Sequence, residues 1–137
     1  MHHDAGVNQK AVDLQDRIAR FAGAVERLCA PLTAAGTAQP TIRKLTAAAA
    51  ALQTGYRETC ASSSPEEFVE RISAVARHAK KAVACLVLLV ELRHLPIEAA
   101  RETILEARAL EAIVAATRNT AKRRARGPVN GTIARRA

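Results

Sequence analysis

The segment SPEEFVERISAVARHAKKAVACLVLLVELRHLP, residues 64–96, decides the fold predicted for this chain. Its first residues predict a capping box, in which Ser64 caps the first helical turn and the Glu67 side chain reaches back to the Ser64 backbone amide. Apolar residues then recur at three- and four-residue spacing from Phe68 to Val90, which is the period of an amphipathic helix. The second half, Ala82 to Leu92, is apolar on nearly every side, so we expect it to be buried on more than one face.

Three further segments have the same helical period, and no stretch alternates with a period of two for long enough to predict a strand. Proline, glycine and serine residues separate the segments. We therefore expect helices over about 8–32, 40–61, 65–94 and 97–124, all within one domain of residues 1–126. Because short connections make neighbouring helices antiparallel, the predicted fold class is all-α, an up-down-up-down antiparallel four-helix bundle. Gly127 and Pro128 are expected to end the last helix and leave residues 127–137 as a basic flexible tail.

The positive charge of the chain is concentrated near its end. The 137 residues contain 21 Lys and Arg against 13 Asp and Glu, a formal charge of +8. No acidic residue follows Glu111, whereas seven of the cations lie from Arg118 onward. The preceding part is almost neutral. A basic end of this kind points to a polyanionic partner, and the scarcity of aromatic residues argues against a platform that stacks many bases.

Two groups of cations are the candidate nucleic-acid-binding residues. In each, the alternative interpretation is an ordinary solvated surface. We expect the contacts to neutralise phosphates without reading bases. The first group is Arg118, Lys122, Arg123, Arg124 and Arg126; the second is Arg77, Lys80 and Lys81 on the third helix, extended by Arg43 and Lys44 on the second.

The hypothesis of an enzymatic function has little support in the sequence. The chain has one half of a di-iron motif, Glu91-x-x-His94, and no glycine-rich phosphate loop, so we predict no catalytic residues, no metal and no cofactor. The three scattered cysteines are expected to be free thiols in a reducing compartment. No apolar run approaches the length of a membrane span, so we expect a cytoplasmic protein without membrane association.

Several runs resemble a known family of bacterial four-helix-bundle proteins, named after the intervening sequences of 23S ribosomal RNA. Ile42-Arg43-Lys44-Leu45 with the alanines 47–51, and then Tyr56-Arg57-Glu58-Thr59, are similar to its second helix. The runs 64–69, 86–92 and Leu95-Pro96 are similar to its third helix and the turn that follows. The resemblance covers roughly residues 14–124. The accessory proteins of diversity-generating retroelements are close relations of this family.

That resemblance implies a homo-oligomeric, pentameric barrel that binds nucleic acid and a reverse transcriptase. Our leading hypothesis is a non-enzymatic homo-oligomeric bundle that binds RNA or DNA electrostatically through its basic tail and the Arg77–Lys81 face. By resemblance, a reverse transcriptase is a candidate protein partner. The competing hypothesis is a protein-interaction scaffold with no direct role in nucleic-acid binding. The sequence does not distinguish RNA from DNA.

Overall fold

The structure, a computed structural model, describes the backbone of residues 2–136 and the side chains of residues 9–127. It is a four-helix bundle, and the described residues contain no strand, which confirms the all-α prediction. The helices are α1 (His2–Ala35), α2 (Gln39–Cys60), α3 (Pro65–Glu91) and α4 (Ile97–Arg136).

The helices contact one another in a closed order. α1 packs on α2, α2 on α3, α3 on α4 and α4 on α1, and no close backbone approach joins the diagonal pairs in the described part of the chain. The contact between α1 and α4 is the least extensive of the four, and a bidentate ion pair of Arg17 with Glu106, at 2.6 and 2.9 Å, spans it. A single apolar core lies between the helices, and its fully buried large side chains come from all four: Ile18, Leu45, Leu52, Ile72, Leu86, Leu89 and Leu110.

Small residues let α2 and α3 approach closely. Ala51 and Gly55 of α2 lie opposite Ala74 of α3, and all three line one shallow depression along the seam. A Cβ atom placed on Gly55 would lie 3.1 Å from Cγ2 of the buried Val75, which is tighter than ordinary van der Waals contact. The run of alanines in the sequence is therefore explained by backbone proximity as well as by helix propensity.

The predicted start of α3 is confirmed, but one hydrogen bond of the predicted capping box is made to a different residue. The Ser64 hydroxyl accepts a hydrogen bond from the Glu67 backbone amide at 3.1 Å, and Pro65 occupies the first turn. The Glu67 carboxylate accepts in return from the backbone amide of Ser63 at 2.9 Å, one residue earlier than a standard capping box places it.

Two helix ends differ from the sequence-based prediction because left-handed turns set them. α1 continues through the exposed Pro31 to Ala35 and ends with Gly36 at φ 70°, with the paired hydrogen bonds of a Schellman turn. α3 ends at Glu91, three residues earlier than predicted, in a similar turn that places Arg93 at φ 63°. A non-glycine residue in this conformation gives no signal in the sequence.

α4 extends to Arg136, through Gly127 and Pro128, where the sequence predicted its end. The side chains of the predicted tail from 128 to 137 lie outside the described residues.

The apolar half of α3 is buried on two faces but not on all sides. Ala82, Val83 and Leu86 are in the core, whereas Leu88 and Leu92 remain 41% and 55% exposed. The expectation of burial on more than one face is thus confirmed for the faces toward α2 and α4, and the outer face of α3 is exposed in the single chain. None of the described helices combines the length and the apolar character needed to cross a membrane.

Candidate nucleic-acid interface

A groove along the seam of α2 and α3 brings together cations that are far apart in the sequence. We define the α2–α3 groove by its lining: Pro40, Arg43, Lys44, Ala47, Ala48, Ala51, His78 and Lys81. Its volume is about 490 Å³, and small side chains form its floor. Arg43 and Lys44 come from the first turns of α2, and Lys81 comes from the second half of α3. The groove is therefore a shallow channel with long, flexible cations on both walls.

The charge of the groove is unbalanced. No acidic side chain is among the described residues that line it, and Arg43, Lys44 and Lys81 are exposed. Within the described part of the chain, none of the three is in an ion pair. The next stretch of the seam differs, because there Arg71 donates to the Glu58 backbone oxygen at 2.8 Å and pairs with Glu67 at 3.3 Å. The free positive potential is thus concentrated at one end of the seam.

Two titratable groups in the seam respond to this charge. Burial lowers the pKa of His78, and the neighbouring Arg77 and Lys81 lower it further because they disfavour a second positive charge. Burial raises the pKa of the Cys85 thiol, while Lys44 and Lys81 act in the opposite direction. Lys44 and Lys81 come from two helices and line the same groove, so a phosphate group there could be contacted from both walls.

Arg77 and Lys80 complete the second predicted group, although neither lines the α2–α3 groove. Both are exposed on α3. Arg77 immediately precedes His78 and lowers its pKa, so its charge contributes to the field at the groove. Lys80 lies one residue before the groove cation Lys81 and extends the basic face of α3.

The first predicted group lies near the end of the described side chains, beside the turn between α2 and α3. Arg124 lines a cavity of about 570 Å³ with Ser64 and Phe68, and it also lines an adjoining cleft with Arg123. Lys122 and Arg126 are exposed on the same turns of α4. We call these four exposed side chains, Lys122, Arg123, Arg124 and Arg126, the basic end of α4.

Arg118 differs from the other members of that group. It is half-buried, and its Nε atom is buried without a hydrogen-bond partner among the described residues. A buried N–H group that lacks a partner costs free energy. Arg118 is thus less available to a phosphate than the exposed cations that follow it.

The two groups are separate in space. Phe68, beside Arg124, and Lys81, in the α2–α3 groove, are 13 residues apart on the same helix. At 1.5 Å per residue this separation is about 20 Å. The structure brings Arg43 and Lys44 to Lys81 but does not join them to the basic end, so a polyanion would need several nucleotides to contact both groups.

Sequence reasoning missed one residue of the groove. His78 is not among the predicted site residues, because its half-buried position between the walls depends on the rotation of α3. The alanines at 47, 48 and 51 form the floor. The four-residue spacing of Ala47, Ala51 and Gly55 is the sequence signal of a close helix contact.

Comparison of the chain with protein-family models, with curated proteins and with solved structures gives no match. Among the described residues, no group of three or more His, Cys, Asp or Glu side chains is arranged to hold a metal ion.

Proposed function

We propose that the protein is a non-enzymatic, nucleic-acid-binding helical bundle whose principal phosphate-binding surface is the α2–α3 groove. The observation that supports this proposal is the convergence of Arg43, Lys44 and Lys81 on a channel that has no acidic lining residue. Lysine and arginine side chains that are free of ion pairs neutralise phosphates and release the counterions condensed around them. The floor of small residues allows a sugar-phosphate backbone to approach the helices.

The basic end of α4 is the second contact in this proposal. Lys122, Arg123, Arg124 and Arg126 are exposed, and they lie about 20 Å from the groove, along α3. One strand that contacts both surfaces gains affinity because the second contact becomes intramolecular. Neither surface presents a fixed set of groups to base edges in a duplex, so the binding is expected to be insensitive to duplex sequence.

An up-down-up-down arrangement of the helices is part of the same proposal. Three contacts favour it: Arg17 of α1 with Glu106 of α4, Arg71 near the start of α3 with Glu58 near the end of α2, and Phe68 at the start of α3 beside Ala121 late in α4. Connections of three to five residues between the helices are also typical of antiparallel neighbours.

A homo-oligomer extends the proposal. Leu88 and Leu92 are exposed four residues apart on α3, a spacing that places them on one face of the helix. A second copy covering that face would repeat the basic surfaces and raise the avidity for a long polyanion. The family resemblance suggests a pentamer, a cytoplasmic location and a reverse transcriptase as a protein partner; all three remain proposals that depend on that resemblance.

The test compares two triple variants that lose the same charge. One carries Arg43→Gln, Lys44→Gln and Lys81→Gln; the control carries Arg57→Gln, Arg101→Gln and Arg108→Gln, three exposed cations outside the groove. Each phosphate contact to duplex DNA contributes about −0.9 to the slope of log affinity against log salt. We expect the groove variant to have a slope about 2.7 less steep than that of the wild type, and the control to change little.

Equal slopes for the two variants would contradict the role of the groove. If the wild-type protein binds neither RNA nor DNA at low salt, the competing function, a protein-interaction scaffold, is favoured. The exposed apolar residues Leu88, Leu92, Ile97 and Leu105 are the observation that supports this second candidate. Light scattering on the wild type and on Leu88→Glu tests the proposed homo-oligomer under either function, because only an interface on α3 makes the mass depend on that residue.

A further inference from the structure

A cavity at the basic end of the bundle joins apolar walls to one arginine, Arg124. Its described lining comes from the turn between α2 and α3, from the first turn of α3 and from the late part of α4, and we call it the end cavity. Its volume of about 570 Å³ is within the range of small-ligand sites. The surface that surrounds it is mostly apolar, and the apolar residues in its lining are Phe68, Pro65, Ala116 and Ala121.

A second, basic cleft adjoins the end cavity. Its volume is about 420 Å³, and its described lining is Thr120, Arg123, Arg124 and Gly127. Thr120 and Arg124 line both spaces, so the two lie side by side. Neither arginine is in an ion pair within the described part of the chain. A ligand that fits both spaces therefore has an uncharged part that enters the end cavity and an anionic group that contacts the arginines of the cleft.

The hydroxyl groups around the end cavity indicate which chemical group the cavity can bind. Ser64 and Thr120 each accept a hydrogen bond from the protein, from Glu67 at 3.1 Å and from Arg123 at 3.4 Å, so each keeps a free hydroxyl proton to donate. Ser62 and Thr117 donate their protons to backbone oxygens, of Thr59 at 2.7 Å and Ile113 at 2.9 Å, so each keeps lone pairs that can accept.

Hydrogen-bond donors and acceptors thus lie next to apolar walls in this cavity. A planar ring with polar atoms along its edge is complementary to that arrangement. A plain alkyl chain would fill the apolar space but would use none of the donors and acceptors that these four hydroxyl groups still offer. A nucleobase offers donors and acceptors on its edge and an apolar face for Phe68, and its own phosphate supplies the anion.

We propose that the end cavity binds one unpaired nucleotide of the strand, with the base inside the cavity and its phosphate on Arg123 and Arg124. This inference rests on the proposed function and adds to it a preference for single strands, because a base paired in a duplex is not free to enter. It also refines the expectation from composition. Three aromatic residues are too few for a stacking platform, but one suffices for a single base.

The experiment uses the full chain and two oligonucleotides of about ten nucleotides, a typical length for the binding site of a single-strand-binding protein. One is an ordinary single-stranded DNA of mixed sequence; the other has the same length and phosphates but carries an abasic sugar at every position. We expect the wild type to bind the ordinary strand about tenfold more tightly, as is typical for the stacking of one base.

Ala116→Leu narrows the cavity from an exposed position, and Ala112→Leu, one turn away and also exposed, is the matched control. We expect Ala116→Leu to remove the preference for the ordinary strand without changing the affinity for the abasic one, and the control to keep it. Thr120→Val, which removes one hydroxyl group with little change of shape, should reduce the preference severalfold.

The outcomes separate this inference from the proposed function. Binding of both strands with equal affinity by the wild type overturns the nucleotide site and leaves phosphate binding intact. A preference that persists in Ala116→Leu overturns the site as well. If neither strand binds, both the proposed function and this inference are wrong.

Discussion

Gly55 of α2 and Gly23 of α1 both lie inside helices. Replacing Gly55 with alanine measures how closely α2 and α3 approach, and the same change at Gly23 is the control. A Cβ atom on Gly23 would meet Nη1 of Arg27 at 3.3 Å, the far end of a flexible, exposed side chain that can move away. A Cβ atom on Gly55 would meet Cγ2 of Val75 at 3.1 Å, and Val75 is fully buried. Because a valine in a helix has one strongly preferred rotamer, this contact cannot be relieved by a simple rotation.

The two substitutions share one favourable term and differ in one unfavourable term. Alanine in a helix interior is more favourable than glycine by about 1 kcal/mol. Overpacking a well-packed seam costs about 1–3 kcal/mol. We therefore expect Gly23→Ala to raise the free energy of unfolding by about 1 kcal/mol. We expect Gly55→Ala to leave it unchanged or to lower it by up to about 2 kcal/mol.

Urea unfolding followed by circular dichroism at 222 nm measures both values, and comparison of the slopes checks that the unfolded states are equivalent. A double-mutant cycle of Gly55→Ala and Val75→Ala is the decisive experiment, because shortening Val75 removes the close contact. In that background Gly55→Ala should stabilise the protein as Gly23→Ala does in the wild type. The reasoning is refuted if Gly55→Ala alone is as stabilising as Gly23→Ala, since α2 and α3 would then be farther apart than described.

Three further predictions concern single side chains. His78, whose pKa is lowered first by burial, should become easier to protonate when phosphates occupy the α2–α3 groove. Affinity for a duplex should therefore rise as the pH falls from 8 to 6, by at most about tenfold per unit, and His78→Gln should remove much of this dependence in fluorescence anisotropy titrations. Without a ligand the same group should lower stability as the pH falls below its usual pKa, about 6.5, because the unfolded chain then binds the proton more readily. Arg118→Met should keep or raise the melting temperature, by up to about 4 °C, because it removes a buried donor that has no partner among the described residues; a large loss of stability would contradict the placement of Arg118. Of the three thiols, the exposed Cys60 should react first with Ellman's reagent, while Cys29 and Cys85 should react only on unfolding because burial shields them and raises their pKa values; three equally fast thiols would argue against the packing.

Local signals account for the parts of the fold that were predicted correctly. The capping box at Ser64 and the apolar period of α3 depend on residues within a few positions of each other, so they can be read along the chain. The helix end at Glu91 could not, because Arg93 adopts a left-handed conformation that its residue type does not favour. The outer face of α3 was also beyond prediction, since the exposure of Leu88 depends on where α2 and α4 lie.

The candidate site was predictable as a list of cations but not as a surface. Arg43, Lys44 and Lys81 were chosen because they are basic residues on helices that adjoin in sequence. Their meeting at one groove depends on the rotation and axial offset of α2 against α3. Arg118 is a second example in which the sequence does not show accessibility. The sequence groups it with the accessible cations, although its Nε atom lies inside the protein.

The sequence by itself determined that this protein has four helices, which residues begin α3, and that its positive charge is concentrated toward the end of the chain. Periodicity, caps and charge are properties of neighbouring residues, so they need no knowledge of the packing. Only the tertiary structure decided which cations face a common groove and which cavity adjoins Arg124. Those arrangements are set by contacts such as Gly55 against Val75, in which residues distant in sequence fix the separation and register of two helices.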